Sequence, residues 1–312
     1  MRVRTMGNDL QFHDFRLSFK SQLKQFRKNL KRAVHRSWED IEHVHQLRVS
    51  GRRLLAALSV LAPLGKPKAV SLLQRRIRKV VSSAGKARDL DLLIHGELKR
   101  GPHCDRKLLK VWKHERKSAQ KTLNELHRRF RKSSKLKNRT RELCRLFRST
   151  TDPNGASSEL GFRLWCKQRI AESAKPFLEG IVSAGELNAI HQLRIDGKRF
   201  RYTLELLGPF LDELLTSRVC DGMKQIQETL GDLQDCVVAR DHLSRTATIL
   251  RDDRKIRESE LAGVRVGRIA ALDQQIACQL NSFLTWQSSA AAGQLVQDVS
   301  DLCRSNSENR TT

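Results

Sequence analysis

Apolar residues recur at intervals of three and four along almost the whole chain, and strand-type alternation of apolar and polar residues is absent. That period predicts helices throughout. Phe15, Phe19, Leu23, Phe26 and Leu30 form one stripe and predict a first helix over about 14–34. Ser37, with Asp40 three residues on, reads as a variant capping box opening a second helix, which Pro63, Gly65 and Pro67 stop. A third helix is predicted from about 69 to 84, breaking near Gly85, and "KARDLDLLIHGELKR" begins a fourth. Residues 103–148 predict long cationic helices with Trp112, Ala119, Leu123, Leu126 and Phe130 as their buried line. "TTDPNGASSE" (150–159) has the composition of a linker. The expected domain runs over 10–290, with one half at about 13–149 and the other at about 160–285. Residues 291–312, ending in "SNSENRTT", are expected to form a flexible tail.

The pattern repeats. "VHQLRVSGRRLLAALSVLAPL" (44–64) and "IHQLRIDGKRFRYTLELLGPF" (190–210) are identical at nine of 21 positions under an ungapped offset of 146. The offset also sets Ser183 on Ser37, Pro209 on Pro63, and "LGDLQD" (230–235) on "AGKARD" (84–89). So long a shared register marks an internal duplication.

On a helical wheel His45, Arg48, Arg52 and Ala56 share one face, opposite Leu47, Leu54, Leu58 and Leu61. In the second copy His191, Arg194, Lys198, Arg201 and Tyr202 oppose Leu193, Phe200, Leu204 and Leu207. Arg53 and Arg199 flank the two strips. A basic face opposite an apolar stripe is commonly just solvated surface. Here, however, the His, Arg and paired cations hold position in both copies while other sites differ. Glu205 alone brings a carboxylate near the centre of either strip.

Charge then narrows the ligand. Sixty Lys and Arg against 34 Asp and Glu leave +26 on 312 residues, which points to a polyanionic partner. Seven cysteines without a C-x-x-C spacing read as free thiols of a reducing compartment. The first residues lack the apolar core of a signal peptide, and no apolar run reaches the length of a membrane span. A soluble, cytoplasmic protein is expected.

"VHQLRVSGRR", "AGKARDLDLL", "IHQLRIDGKRFRYTLE" and "LGDLQD" together resemble the signature stretches of the CHAD family, the conserved histidine α-helical domain. The resemblance covers about 13–285. It implies an all-α fold of two tandem four-helix bundles with pseudo-twofold symmetry, whose histidine helices line a basic central channel holding inorganic polyphosphate. It implies binding residues His45, Arg48, Arg52 and Arg53 in the first motif. In the second it implies His191, Arg194, Lys198, Arg199, Arg201 and Tyr202. A place at polyphosphate granules, no cofactor and no catalysis follow from the same resemblance. Leu55 stands where the family usually has Arg, and Ala84 where it usually has Leu. The E-x-E-x-K signature of the triphosphate-processing CYTH domain, often fused to this module, is absent.

The residue chemistry agrees. Arg grips phosphate oxygens bidentately, Lys acts as a point charge, and His adds an N–H donor whose charge a bound anion can induce. Two rival readings are weaker. Residues 99–148 carry 19 Lys and Arg against four acids and could track a nucleic-acid backbone. However, only 5% of the chain is aromatic, which leaves few platforms for base stacking, so weak nonspecific binding is expected there. A phosphohydrolase would need His, Asp89, Asp91 and Asp235 around a metal, yet no three-ligand spacing is visible. Asp89 and Asp235 read instead as helix caps or as partners of the strip arginines. His95, His103, His114, His127 and His242 are expected to face solvent.

Overall fold

The phenylalanine–leucine stripe of the first segment is fully covered: Phe19, Phe26 and Leu30 are each no more than 1% accessible. The computed structural model describes residues 6–37, 39–64, 67–134, 138, 140–143, 159–252 and 267–304, and among these every regular element is helical. The first half contains α1 (Met6–His35), α2 (Glu42–Leu61), α3 (Pro67–Leu98) and α4 (Arg106–Lys132). The second contains α5 (Glu159–Ser183), α6 (Leu187–Leu207), α7 (Glu213–Asp252), α8 (Ile269–Gln287) and α9 (Ala290–Cys303). The linker expected at 150–159 lies outside the described residues except for Glu159, which begins α5.

Helices adjacent in sequence pack on one another in both halves, α1 on α2 on α3 on α4, and α5 on α6 on α7 on α8. In the first half α4 returns to α1. In the second it is α9 that returns to α5 and α7. This corrects the expected flexible tail from 291. Leu295, Val299 and Leu302 fall on one face at helical spacing and are buried, and the Ser289 hydroxyl accepts from the Ala292 N–H as a cap. Residues 305–312 lie outside the described residues.

The expected break at Gly85 does not occur, and α3 runs unbroken through it; α7 likewise runs through Gly231. A helical Gly costs about 1 kcal/mol relative to Ala. Flanking core residues (Val80, Ala84, Ala87 and Leu90) outweigh that, and no proline follows. Consequently Asp89 and Asp235 sit in helix interiors and cap nothing.

Ser37 and Ser183 are not caps either. The Ser37 hydroxyl donates to Gln120 Oε1 on α4 at 3.0 Å, while Asp40 Oδ1 accepts from the Glu42 N–H that opens α2. Ser183 bonds back to the Glu179 carbonyl at 2.8 Å. The prolines behave as read: Pro63 and Pro209 sit in the 3-10 turns that end α2 and α6, and Pro67 opens α3.

The glycine shared by both copies marks close helix approach. A Cβ at Gly51 would stand 2.3 Å from Val81 Cγ2, and one at Gly197 would stand 3.2 Å from the Phe177 ring. Polar side-chain contacts also join the halves away from these helices, beside an apolar cluster of Leu90, Leu108 and Trp112 with Leu243 and Leu250. The Trp112 indole N–H donates to Thr246 Oγ1 at 3.0 Å, and Arg268 meets the buried Glu97 carboxylate at 2.5 Å. The described cysteines are unbridged, with Cys166 buried and its thiol pushed up to about 12 by burial. Among the described residues no helix is long and apolar enough to cross a membrane.

Candidate anion-binding site

α2 and α6 pack against each other, which brings the two copies of the motif together. The apolar stripes point away into the core: Leu47, Leu54, Leu58, Leu61, Leu193, Phe200, Leu204 and Leu207 are all at most 1% accessible. Of the opposing faces, His45, Arg48, Arg52, Arg194, Lys198 and Arg201 are half-buried, while Arg53, His191 and Arg199 are exposed. Tyr202 departs from the expectation of an open strip residue. It is buried, with its hydroxyl beside Arg52 and its ring 5.2 Å from the Arg201 guanidinium carbon.

The carboxylates near this surface are spoken for unevenly. Glu205 bridges the halves, meeting Arg53 Nε at 3.0 Å and Arg201 Nε at 3.5 Å. Asp89 on α3 accepts from Arg48 Nη1 at 3.0 Å, so it serves as partner to a strip arginine. Asp235 on α7 lies near Arg194 and Lys198 but forms no ion pair among the described residues; burial raises its carboxyl pKa against the pull of those two cations, and Asp89 and Asp232 add to the rise.

Arg52, Arg194 and Lys198 therefore crowd together from two helices, and among the described residues none has a carboxylate within ion-pairing distance. The buried Arg194 Nε has no hydrogen-bond partner. Burial, then Arg52, lowers the Arg194 pKa, with Asp235 opposing. Burial, then Arg48, lowers that of Arg52, with Tyr202 opposing. Lys198 responds most: burial, then Arg194, Arg52, Arg48 and Arg201, brings its ammonium down to about 7. Desolvation disfavours each charge, and like charges at short range disfavour it further. An anion seated among them would offset both penalties by its attraction to all three charges.

The two histidines differ. His45 is held below its usual value by burial first, with Arg88, Arg48 and Arg52 adding and Glu42 opposing. His191 Nδ1 is hydrogen-bonded to Gln234 Oε1 on α7. Arg88 and Gln234 are the site residues that sequence reasoning missed. Each lies inside a quoted signature stretch beside its aspartate, and that adjacency was the available signal. Of the remaining histidines, His95, His103 and His114 are exposed as expected. His127 and His242 are half-buried, the first edge-on to His35 at 5.6 Å and the second 3.0 Å from Arg245. Among the described residues no group of three or more His, Cys, Asp and Glu gathers at metal-binding range.

The fold is similar to that of the CHAD domain from the plant Ricinus communis, with a TM-score of 0.61 and 22% identity over 86% of this chain and 91% of that one. It is also similar to PptA from Streptomyces chartreusis, with a TM-score of 0.57 and 14% identity over 92% of this chain and 99% of that one. No curated protein matches the chain. The family model described as CHAD domain matches residues 18–244, the region that holds both histidine helices and both aspartate stretches, and the chain belongs to the CHAD family.

Proposed function

We propose that the protein binds inorganic polyphosphate between α2 and α6 and does not hydrolyse it. The ligand is held by His45, Arg48, Arg52, Arg53, His191, Arg194, Lys198, Arg199, Arg201 and Tyr202, with Arg88 added. Tyr202 acts by positioning Arg52. Both halves contribute to one site along a shared basic channel, and the protein resides at polyphosphate granules. CHAD membership supports a polyphosphate-related role in general. The observation that carries the reading is the cluster of Arg52, Arg194 and Lys198, drawn from opposite halves, without a carboxylate partner among the described residues and crowded enough to depress the Lys198 ammonium.

The chemistry selects phosphate chains. Guanidiniums offer paired N–H donors to the oxygens, and Lys198 gains its proton as the anion arrives. No base or sugar is needed. In competition at physiological salt, purified protein is expected to prefer polyphosphate to random-sequence DNA at equal charge concentration. Its affinity should fall steeply as salt rises, through counterion release. Equal or tighter DNA binding would overturn the assignment.

A further inference from the structure

Lys20, Lys24, Arg27 and Lys31 recur on α1 at intervals of four, three and four residues. Helical periodicity sets them in one row, roughly 16 Å long at 1.5 Å per residue. Arg131 in the last turn of α4, and Arg141, stand across from it. Between them runs a groove of about 710 Å³, none of whose lining residues belongs to α2 or α6. Five of the six cations are exposed, and among the described residues none of the six makes an ion pair and no carboxylate lines the groove. Its floor is core: Leu23, Leu30 and Phe130 are at most 9% accessible. The crowding is felt by His127 on the wall, whose pKa burial lowers first and His35, Arg131 and Lys31 lower further.

A groove lined by one sign of charge over a low-dielectric floor focuses its field outward. The row is straight and evenly spaced, which suits a linear anion. Among the described lining residues Phe130 is covered, so the floor they form offers no open phenyl face on which a base could stack. We propose that this groove is a second polyanion site that takes a linear phosphate chain by its oxygens, so that one molecule can bridge two polyphosphate chains. The bridging rests on the binding assigned to the α2–α6 site; the groove itself does not.

The test uses the full chain with the triple variant Lys24→Ala/Arg27→Ala/Lys31→Ala. A matched variant, Lys110→Ala/Lys113→Ala/Lys117→Ala, removes the same charge from exposed positions elsewhere on α4. Circular dichroism checks folding. Calorimetry with a short polyphosphate is expected to give two sites per chain for the parent and the matched variant. For the groove variant it should give one, with the tighter affinity within about twofold of the parent's. Light scattering with long-chain polyphosphate is expected to show condensation that the groove variant loses and the matched variant keeps. One site in the parent would overturn the proposal, as would equal losses in both variants. Loss of single-stranded DNA binding with polyphosphate condensation intact would also overturn it, by making the groove a nucleic-acid site. If Arg194→Ala leaves the tighter site unchanged while the groove variant removes the weaker one, the α2–α6 assignment fails and the groove stands.

Discussion

Arg48 and Arg194 occupy the same position of the duplicated motif, yet their surroundings differ. Arg48 reaches the Asp89 carboxylate at 3.0 Å, whereas Arg194 has a buried Nε without a partner and no ion pair to Asp235. One turn on, Arg52 lies beside the Tyr202 hydroxyl, while its counterpart Lys198 faces four arginines. Leu55 packs against the core where the second copy has Arg201, which meets Glu205. Duplication fixes where a side chain emerges; the neighbouring helices decide whether its charge is already compensated. The second strip is the under-compensated one, and ligand binding should depend on it more heavily.

The largest expected effect breaks this comparison directly. Charge-assisted contacts contribute about 1.5–3 kcal/mol each, so Arg194→Ala should weaken short-chain polyphosphate binding roughly ten- to a hundredfold. Removing the other position as a neutral pair, Arg48→Ala with Asp89→Asn, should cost no more than about threefold, under 1 kcal/mol. Equal losses measured by calorimetry would mean that the halves contribute alike and that Asp89 does not matter.

The next effect concerns pH. A bound polyanion raises the Lys198 pKa from about 7, so binding above that pH takes up a proton and affinity falls as pH rises toward the shifted value. His45, lowered in the free protein, adds uptake at lower pH. Calorimetry in buffers of different ionisation enthalpy should detect the uptake, and Lys198→Arg should flatten the dependence between pH 7 and 9. In the free protein the folded value lies below the ordinary 10.5. The unfolded chain therefore binds more protons, and stability should rise from about pH 7 to 10.5. Thermal melts of Lys198→Met should lack that contribution.

A separate effect, on stability rather than binding, distinguishes the two glycines. Gly51→Ala would drive a methyl against stiff Val81 and should destabilise by about 1–3 kcal/mol. Gly197→Ala meets the Phe177 ring at 3.2 Å, a contact a small shift relieves, and the helix propensity gained is about 1 kcal/mol. Its melting temperature should stay close to the parent's.

The helices and the cationic faces were legible because apolar spacing and a repeated motif report directly on which side of a helix is covered. Boundaries that depend on balance were not. Gly85 reads as a breaker until the burial of Ala84 and Ala87 is known, and Ser37 reads as a cap until Gln120 arrives from α4. The α9 helix has both a Ser289 cap and a three–four spacing, but it is short and follows a helix that already ended the expected repeat. Within the site, the sequence placed the cations but not their compensation. The carboxylates that pair or fail to pair come from α3 and α7, and the burial of Tyr202 depends on how α6 meets α2.

A crystal structure of the complex with a short polyphosphate tests the central claim most directly. Phosphate density contacting Arg52 from α2 and both Arg194 and Lys198 from α6 is the expected result. Density confined to one helix, or found only on the outer surface with the α2–α6 cluster unoccupied, would contradict it.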